Sequence, residues 1–89
     1  MCVQISLMNT IYDQRYIKLI TELREIRKGK NITQEQLAST LNKPQSYIAK
    51  IEKFERRLDV IELIDWLNAI GADLEHFLKS IGSMEKRIG

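Results

Sequence analysis

The stretch from Ile32 to Pro44, ITQEQLASTLNKP, carries the densest local folding instructions in the chain. Thr33 is a strong N-cap, and Gln36 three residues later completes a capping box. Ile32 and Leu37 occupy the flanking positions of a hydrophobic staple. Together they start a helix at Gln34, with Leu37, Ala38 and Leu41 on its apolar side. Asn42 tolerates left-handed geometry and can end that helix. Pro44 suits a first helical turn, where its missing N–H would have no partner anyway. A second short helix is therefore expected from about Pro44 to Glu52 or Lys53, burying Ile48 and Ile51. Neither helix is long enough to be stable alone. Two such helices joined through Asn42-Lys43-Pro44 have the link length of a helix-turn-helix.

The rest of the chain supplies the frame. From about Asp13 the apolar period is helical, through Tyr16, Ile20, Leu23 and Ile26/Arg27, and Gly29 is expected to close that helix. Asp59 followed by Glu62 is a second capping box, opening a helix that ends at Gly71. A last helix begins near Asp73 and carries Leu74, Phe77, Leu78 and Ile81. Residues 2–8, CVQISLM, alternate as a strand does, within an N-terminal arm at 1–12. Residues 83–89 read as a frayed tail. The expected organisation is one all-α, five-helix domain at 13–82.

Composition limits the function classes. At 89 residues there is room for one core. The formal charge is +2, so any field that attracts a polyanion must come from local clustering. Cys2 is the only cysteine, which excludes an internal disulfide and favours a reducing compartment. No apolar run approaches the ~20 residues that span a bilayer. The N-terminus does not read as a signal peptide, so a cytoplasmic location is expected. His76 is the only histidine and has no second ligand at metal spacing. Cys2 has no nearby base to activate it. Glu22, Glu25, Glu52, Glu55, Asp59 and Glu62 are accounted for by salt pairing and capping. No enzyme, metal or cofactor is expected.

Gln45, Ser46, Tyr47 and Lys50 look outward from the second short helix. Soluble helices often carry such residues, but they are also the types that read base edges. Gln matches adenine N6/N7, Ser fits several edges, and Lys reaches guanine or phosphate.

Residues 16–78 resemble the lambda-repressor-like, or XRE, family of helix-turn-helix transcriptional regulators. The pattern lies in LREIRKGKNITQEQLASTLNKPQSYIAKIE and LDVIELIDWLNAIGADLEHFL. The resemblance implies the lambda-repressor-like fold and double-stranded DNA as partner. It places Gln45, Ser46, Tyr47 and Lys50 on base-reading positions. Gln34 should hold a phosphate and brace Gln45, and Lys53 should contact phosphate. Arg27 and Glu52 match a structural ion pair. Phe54 stands where the family commonly has Gly, which leaves phosphate contacts by Arg56 and Arg57 dependent on the path of that loop.

The helix from Val60 to Ile70 is apolar nearly all round. By resemblance Val60, Leu63, Ile64, Leu67 and Ile70 cover the core, leaving Ile61 and Trp66 for an interface. The expected assembly is a two-fold homodimer on a palindromic operator, with the 2–8 arms pairing across it. The alternative is an antitoxin-type protein, with a toxin as partner and autoregulatory DNA binding.

Overall fold

The computed structural model describes residues 13–82. The N-terminal arm with its expected strand, Cys2 and the tail at 83–89 lie outside the described residues. The described chain forms α1 (Gln14–Gly29), α2 (Gln34–Leu41), α3 (Gln45–Glu52), α4 (Val60–Ala69) and α5 (Leu74–Gly82). Among the described residues the five expected helices are present and no strand is formed.

Both predicted capping boxes are present. Thr33 Oγ1 accepts from Gln36 N–H at 3.0 Å, and Thr33 N–H donates to Gln36 Oε1 at 2.9 Å. Asp59 and Glu62 repeat the exchange at 2.7 and 3.0 Å. Asp13 caps α1 through Arg15 N–H at 2.8 Å, and the Arg15 side chain grips the same carboxylate, holding its pKa down at about 2. Pro44 sits one position earlier than expected. It is the extended N-cap of α3, at φ −72° and ψ 154°, outside the first turn.

The first four helices end alike. The N–H groups of Ile32, Lys43, Glu55 and Ala72 donate to carbonyls five residues back, on Arg27, Ala38, Lys50 and Leu67. Those of Asn31, Asn42, Phe54 and Gly71 donate three residues back. This is the Schellman closure, and it needs a left-handed residue just past the helix. Asn31, Asn42, Phe54 and Gly71 fill that place, with φ between 60° and 70°. Gly29 is the last residue of α1, as expected. It lies inside the last turn, and Asn31 turns the chain. Phe54 follows the ordinary path of such a turn with a side chain that resists it, at a cost of about 1–2 kcal/mol.

The core joins all five helices. Ile20 and Leu23 of α1, Leu37 and Ala38 of α2, and Ile48 and Ile51 of α3 meet Leu63, Trp66 and Leu67 of α4, with Ile70 and Phe77. The inward face of α4 differs from the expected one. Val60 is 66% exposed, whereas Trp66 is fully enclosed. The inward stripe is Leu63, Trp66, Leu67 and Ile70, spaced i, i+3, i+4 and i+7. Trp66 thus cannot serve an interface, because the chain's own core already surrounds it. Ile61 stays 63% exposed.

Two polar ties lock the frame. The Tyr16 hydroxyl accepts from Leu58 N–H at 3.0 Å, fastening α1 to the loop before α4. Lys30 Nζ donates to Gly71 O at 2.9 Å, closing the end of α4 against the end of α1.

Candidate nucleic-acid interface

Behind α3 lies a continuous polar chain. Arg27 and Glu52 are the buried charged residues among those described, 7% and 5% exposed. Arg27 Nε donates to Glu52 Oε2 at 2.8 Å and Nη2 donates to Oε1 at 3.0 Å. Arg27 Nη1 donates to Ile32 O at 2.6 Å, tying the pair to the residue that staples α2. A bidentate guanidinium–carboxylate pair fixes direction as well as distance. The ion pair expected from resemblance is therefore present, joining α1 to the end of α3.

The chain continues toward solvent. Gln34 Nε2, from the first residue of α2, donates to Glu52 Oε1 at 2.9 Å. Gln45 Nε2, from the first residue of α3, donates to Gln34 Oε1 at 2.6 Å. Gln34 therefore braces Gln45, and a second Gln34 amide hydrogen is left to face outward. Gln45 keeps its own oxygen and one N–H for whatever meets α3.

Gln45, Ser46 and Lys50 are exposed. Ser46 and Lys50 are one helical turn apart on the same side of α3. Lys53, the C-cap residue, is exposed as well. The outward surface of α3 is thus amide, hydroxyl and two cations, backed by α2.

Tyr47 is placed differently from its neighbours. Its ring is half-buried and packs against the core. Lys43 Nζ lies 5.3 Å and Arg56 Cζ 4.9 Å from the ring centroid. Burial, then the Glu62 carboxylate that its hydroxyl hydrogen-bonds, push the Tyr47 pKa up to about 12. A ring held this way does not stand free over a groove. The base-reading expectation for Tyr47 thus meets a ring already held by Lys43, Arg56 and the core.

Arg56 is also committed within the chain. Its Nη1 and Nη2 donate to the two Glu62 oxygens at 3.2 and 3.1 Å, and Nη1 also donates to Arg57 O at 2.9 Å. The Arg56 guanidinium holds the Glu62 carboxyl below its usual range. Arg57 is exposed. The sequence pattern showed Glu62 as a capping residue only. It is in fact shared by Asp59, Arg56 and Tyr47, a role whose signal is tertiary. Lys43 likewise reads in the sequence as a turn residue only, and its place over the Tyr47 ring is tertiary.

His76 is exposed on α5 with its N–H donating to Asp73. Among the described residues no group of three or more His, Cys, Asp or Glu side chains could hold a metal ion. No helix among them is long and apolar enough to cross a membrane.

Comparison with known proteins agrees with this geometry. A family model described as helix-turn-helix matches residues 23–77, from within α1 through α2, α3 and α4 to the first turn of α5. No curated protein matches the chain. Among solved structures, the chain is similar to an XRE-family like protein from Pseudomonas syringae pv. tomato str. DC3000. The identity is 42% over 88% of this chain and 95% of that one, with a TM-score of 0.80.

Proposed function

The chain belongs to the XRE-type helix-turn-helix family of DNA-binding regulators, and from that premise we propose that it is a sequence-specific, dimeric transcriptional regulator that lays α3 in the major groove of double-stranded DNA. The observation that carries this reading is the exposed Gln45, braced from behind by Gln34 at 2.6 Å. An amide held at the start of a propped helix reads a base edge with little ordering left to do.

In this reading Gln45 pairs with adenine, Ser46 meets a neighbouring base edge, and Lys50 reaches guanine or a phosphate. Gln34, Lys53 and Arg57 hold phosphates, with Arg56 beside them. Phosphate contacts set register and base contacts set preference. Tyr47 supports α3 from the side.

Dimerisation is supported by apolar surface that the fold leaves uncovered. Val60 is 66%, Ile61 63% and Leu78 47% exposed. A second copy that covers such residues in a two-fold arrangement implies a palindromic operator. The antitoxin reading puts a toxin protein on the same residues. The regulator acts in the cytoplasm, where its DNA is.

The test is selection of bound duplexes from a random library. A palindromic site is expected, with half-sites about 10–10.5 base pairs apart or a multiple of that. Sedimentation of the purified chain as a monomer at micromolar concentration, with an undivided site, would count against the dimer. A protein that then binds stoichiometrically and covers Ile61 would favour the antitoxin reading.

A further inference from the structure

The polar chain behind α3 has a direction. A carboxylate accepts hydrogen bonds and a guanidinium only donates them. Arg27 grips both oxygens of Glu52, at 2.8 and 3.0 Å. Glu52 Oε1 therefore meets Gln34 as an acceptor, and Gln34 must turn its nitrogen inward, as it does at 2.9 Å. The Gln34 oxygen is then what faces Gln45, so Gln45 must offer its nitrogen, as it does at 2.6 Å. Two glutamines alone would be ambivalent, since turning both amides over gives an equally good hydrogen bond. The buried pair removes that ambivalence.

The consequence reaches the DNA. With its nitrogen committed to Gln34, Gln45 has one N–H and its oxygen left, a donor beside an acceptor. Adenine offers the complement, N7 and the N6 amino group. Guanine offers two acceptors, N7 and O6. A reversed Gln45 would turn its amino group outward and suit guanine instead.

We propose that Arg27 and Glu52, neither of which faces DNA, are positioning residues for base selection: they set which way round Gln45 presents its amide, and so favour adenine over guanine opposite it. This rests on α3 being the reading helix. A merely structural ion pair would alter stability and leave base preference alone.

The experiment measures the adenine-to-guanine affinity ratio at the position facing Gln45, on duplexes otherwise identical. Four proteins are compared with wild type. Gln45→Ala removes the reader. Gln34→Met cuts the chain and leaves the buried pair intact. Arg27→Met with Glu52→Met removes both charges, so that neither is stranded, an exchange that buried pairs often tolerate. The last two are each expected to lose about three- to tenfold of the ratio, the size of one hydrogen bond. Joined in one triple variant they should lose no more than either alone, because both act through the same link. Preferences at other positions should stay as in wild type.

An unchanged ratio in a folded Met/Met variant overturns the inference, and so does a triple variant whose loss is the product of the two. Should the Met/Met protein not fold, Arg27→Gln with Glu52→Gln replaces it, since an amide at position 52 meets Gln34 in either polarity and no charge is stranded, with the same expectation. A Gln45→Ala protein with unaltered base preferences takes down the reading of α3, and this inference with it. A normal Gln45→Ala loss beside unaltered ratios in the relay variants takes down this inference alone.

Discussion

The Tyr47 ring lies against the Trp66 indole, with centroids 6.2 Å apart and planes tilted by 42°. A tilted aromatic pair contributes about 0.5–1.5 kcal/mol beyond the area it buries. This contact anchors the first turn of α3 on α4, and the Glu62 carboxylate receives the hydroxyl beyond it. Tyr47→Phe should therefore leave operator preference intact. It should lower stability by about 1.5–3 kcal/mol, one hydrogen bond to a charged carboxylate. Library selection and a denaturant melt on the same protein check both halves. A changed base at one operator position would return Tyr47 to the reading set.

Trp66 and Ile61 separate core from surface on one helix. Trp66→Ala should cost about 3–5 kcal/mol, the usual loss for a large buried aromatic. Trp66→Phe should cost far less. The Trp66 indole N–H is buried with no hydrogen-bond partner, and removing an orphan donor recovers about 1–3 kcal/mol against the smaller ring's lost packing. Ile61→Asp should leave the melt within about 0.5 kcal/mol of wild type at concentrations too low for self-association, as exposed substitutions do. Sedimentation should show Ile61→Asp weakening self-association and Trp66→Phe leaving it alone.

The reversal of Trp66 and Val60 shows where sequence reading stops. Capping boxes at Thr33 and Asp59 are local chemistry, complete within four residues, and they were legible. So was the Arg27–Glu52 pair, but only through resemblance to a family. An apolar helix such as α4 satisfies several inward stripes equally well. Which one faces in depends on what waits there, here the Tyr47 ring and the α1 and α3 isoleucines. Arg56 and Tyr47 look freer in the sequence than in the fold for the same reason. Their spacing on the chain shows them free, and Glu62 arrives from another element. Gly29 does mark the last residue of α1, but the left-handed place falls to Asn31 two residues later, which the sequence alone does not single out.

Arg27 and Arg24 share α1 but not its inward face. Arg27→Ala strands the Glu52 carboxylate in the core and should cost about 3–5 kcal/mol. The Arg24 side chain is 40% exposed and only approaches Glu25, at 4.0 Å. Arg24→Ala should stay within about 0.5 kcal/mol of wild type. Urea denaturation of the two variants side by side decides the matter. Equal midpoints would mean that the buried pair adds nothing to the fold.

Phe54 should invert a familiar order. Its φ is 64°, which glycine adopts freely and alanine does not, yet its ring packs on the core. Phe54→Ala loses the packing and keeps the strain. Phe54→Gly loses the packing and releases about 1–2 kcal/mol of strain. Glycine should therefore be the less damaging substitution by about 1 kcal/mol, although it is ordinarily the worse residue for an ordered backbone. Thermal melts that place alanine above glycine would mean that this turn relaxes when the ring is gone.

Lys53 and Arg56 lie on either side of Phe54 and should contribute differently to DNA binding. Lys53 is exposed at the end of α3. Lys53→Ala should weaken specific and scrambled duplexes alike, lower the salt slope by about one unit, and leave the melt unchanged. Arg56 already grips Glu62, so a phosphate must compete with that carboxylate for it. Arg56→Ala should therefore lower the salt slope by less than Lys53→Ala. It should also lower the melting temperature, because Glu62 and Tyr47 lose a shared partner. Fluorescence anisotropy on both duplexes at several salt concentrations, beside thermal melts, measures these effects. A slope change for Arg56→Ala as large as that for Lys53→Ala would show that Arg56 leaves Glu62 when DNA arrives and spends its charge on the phosphate.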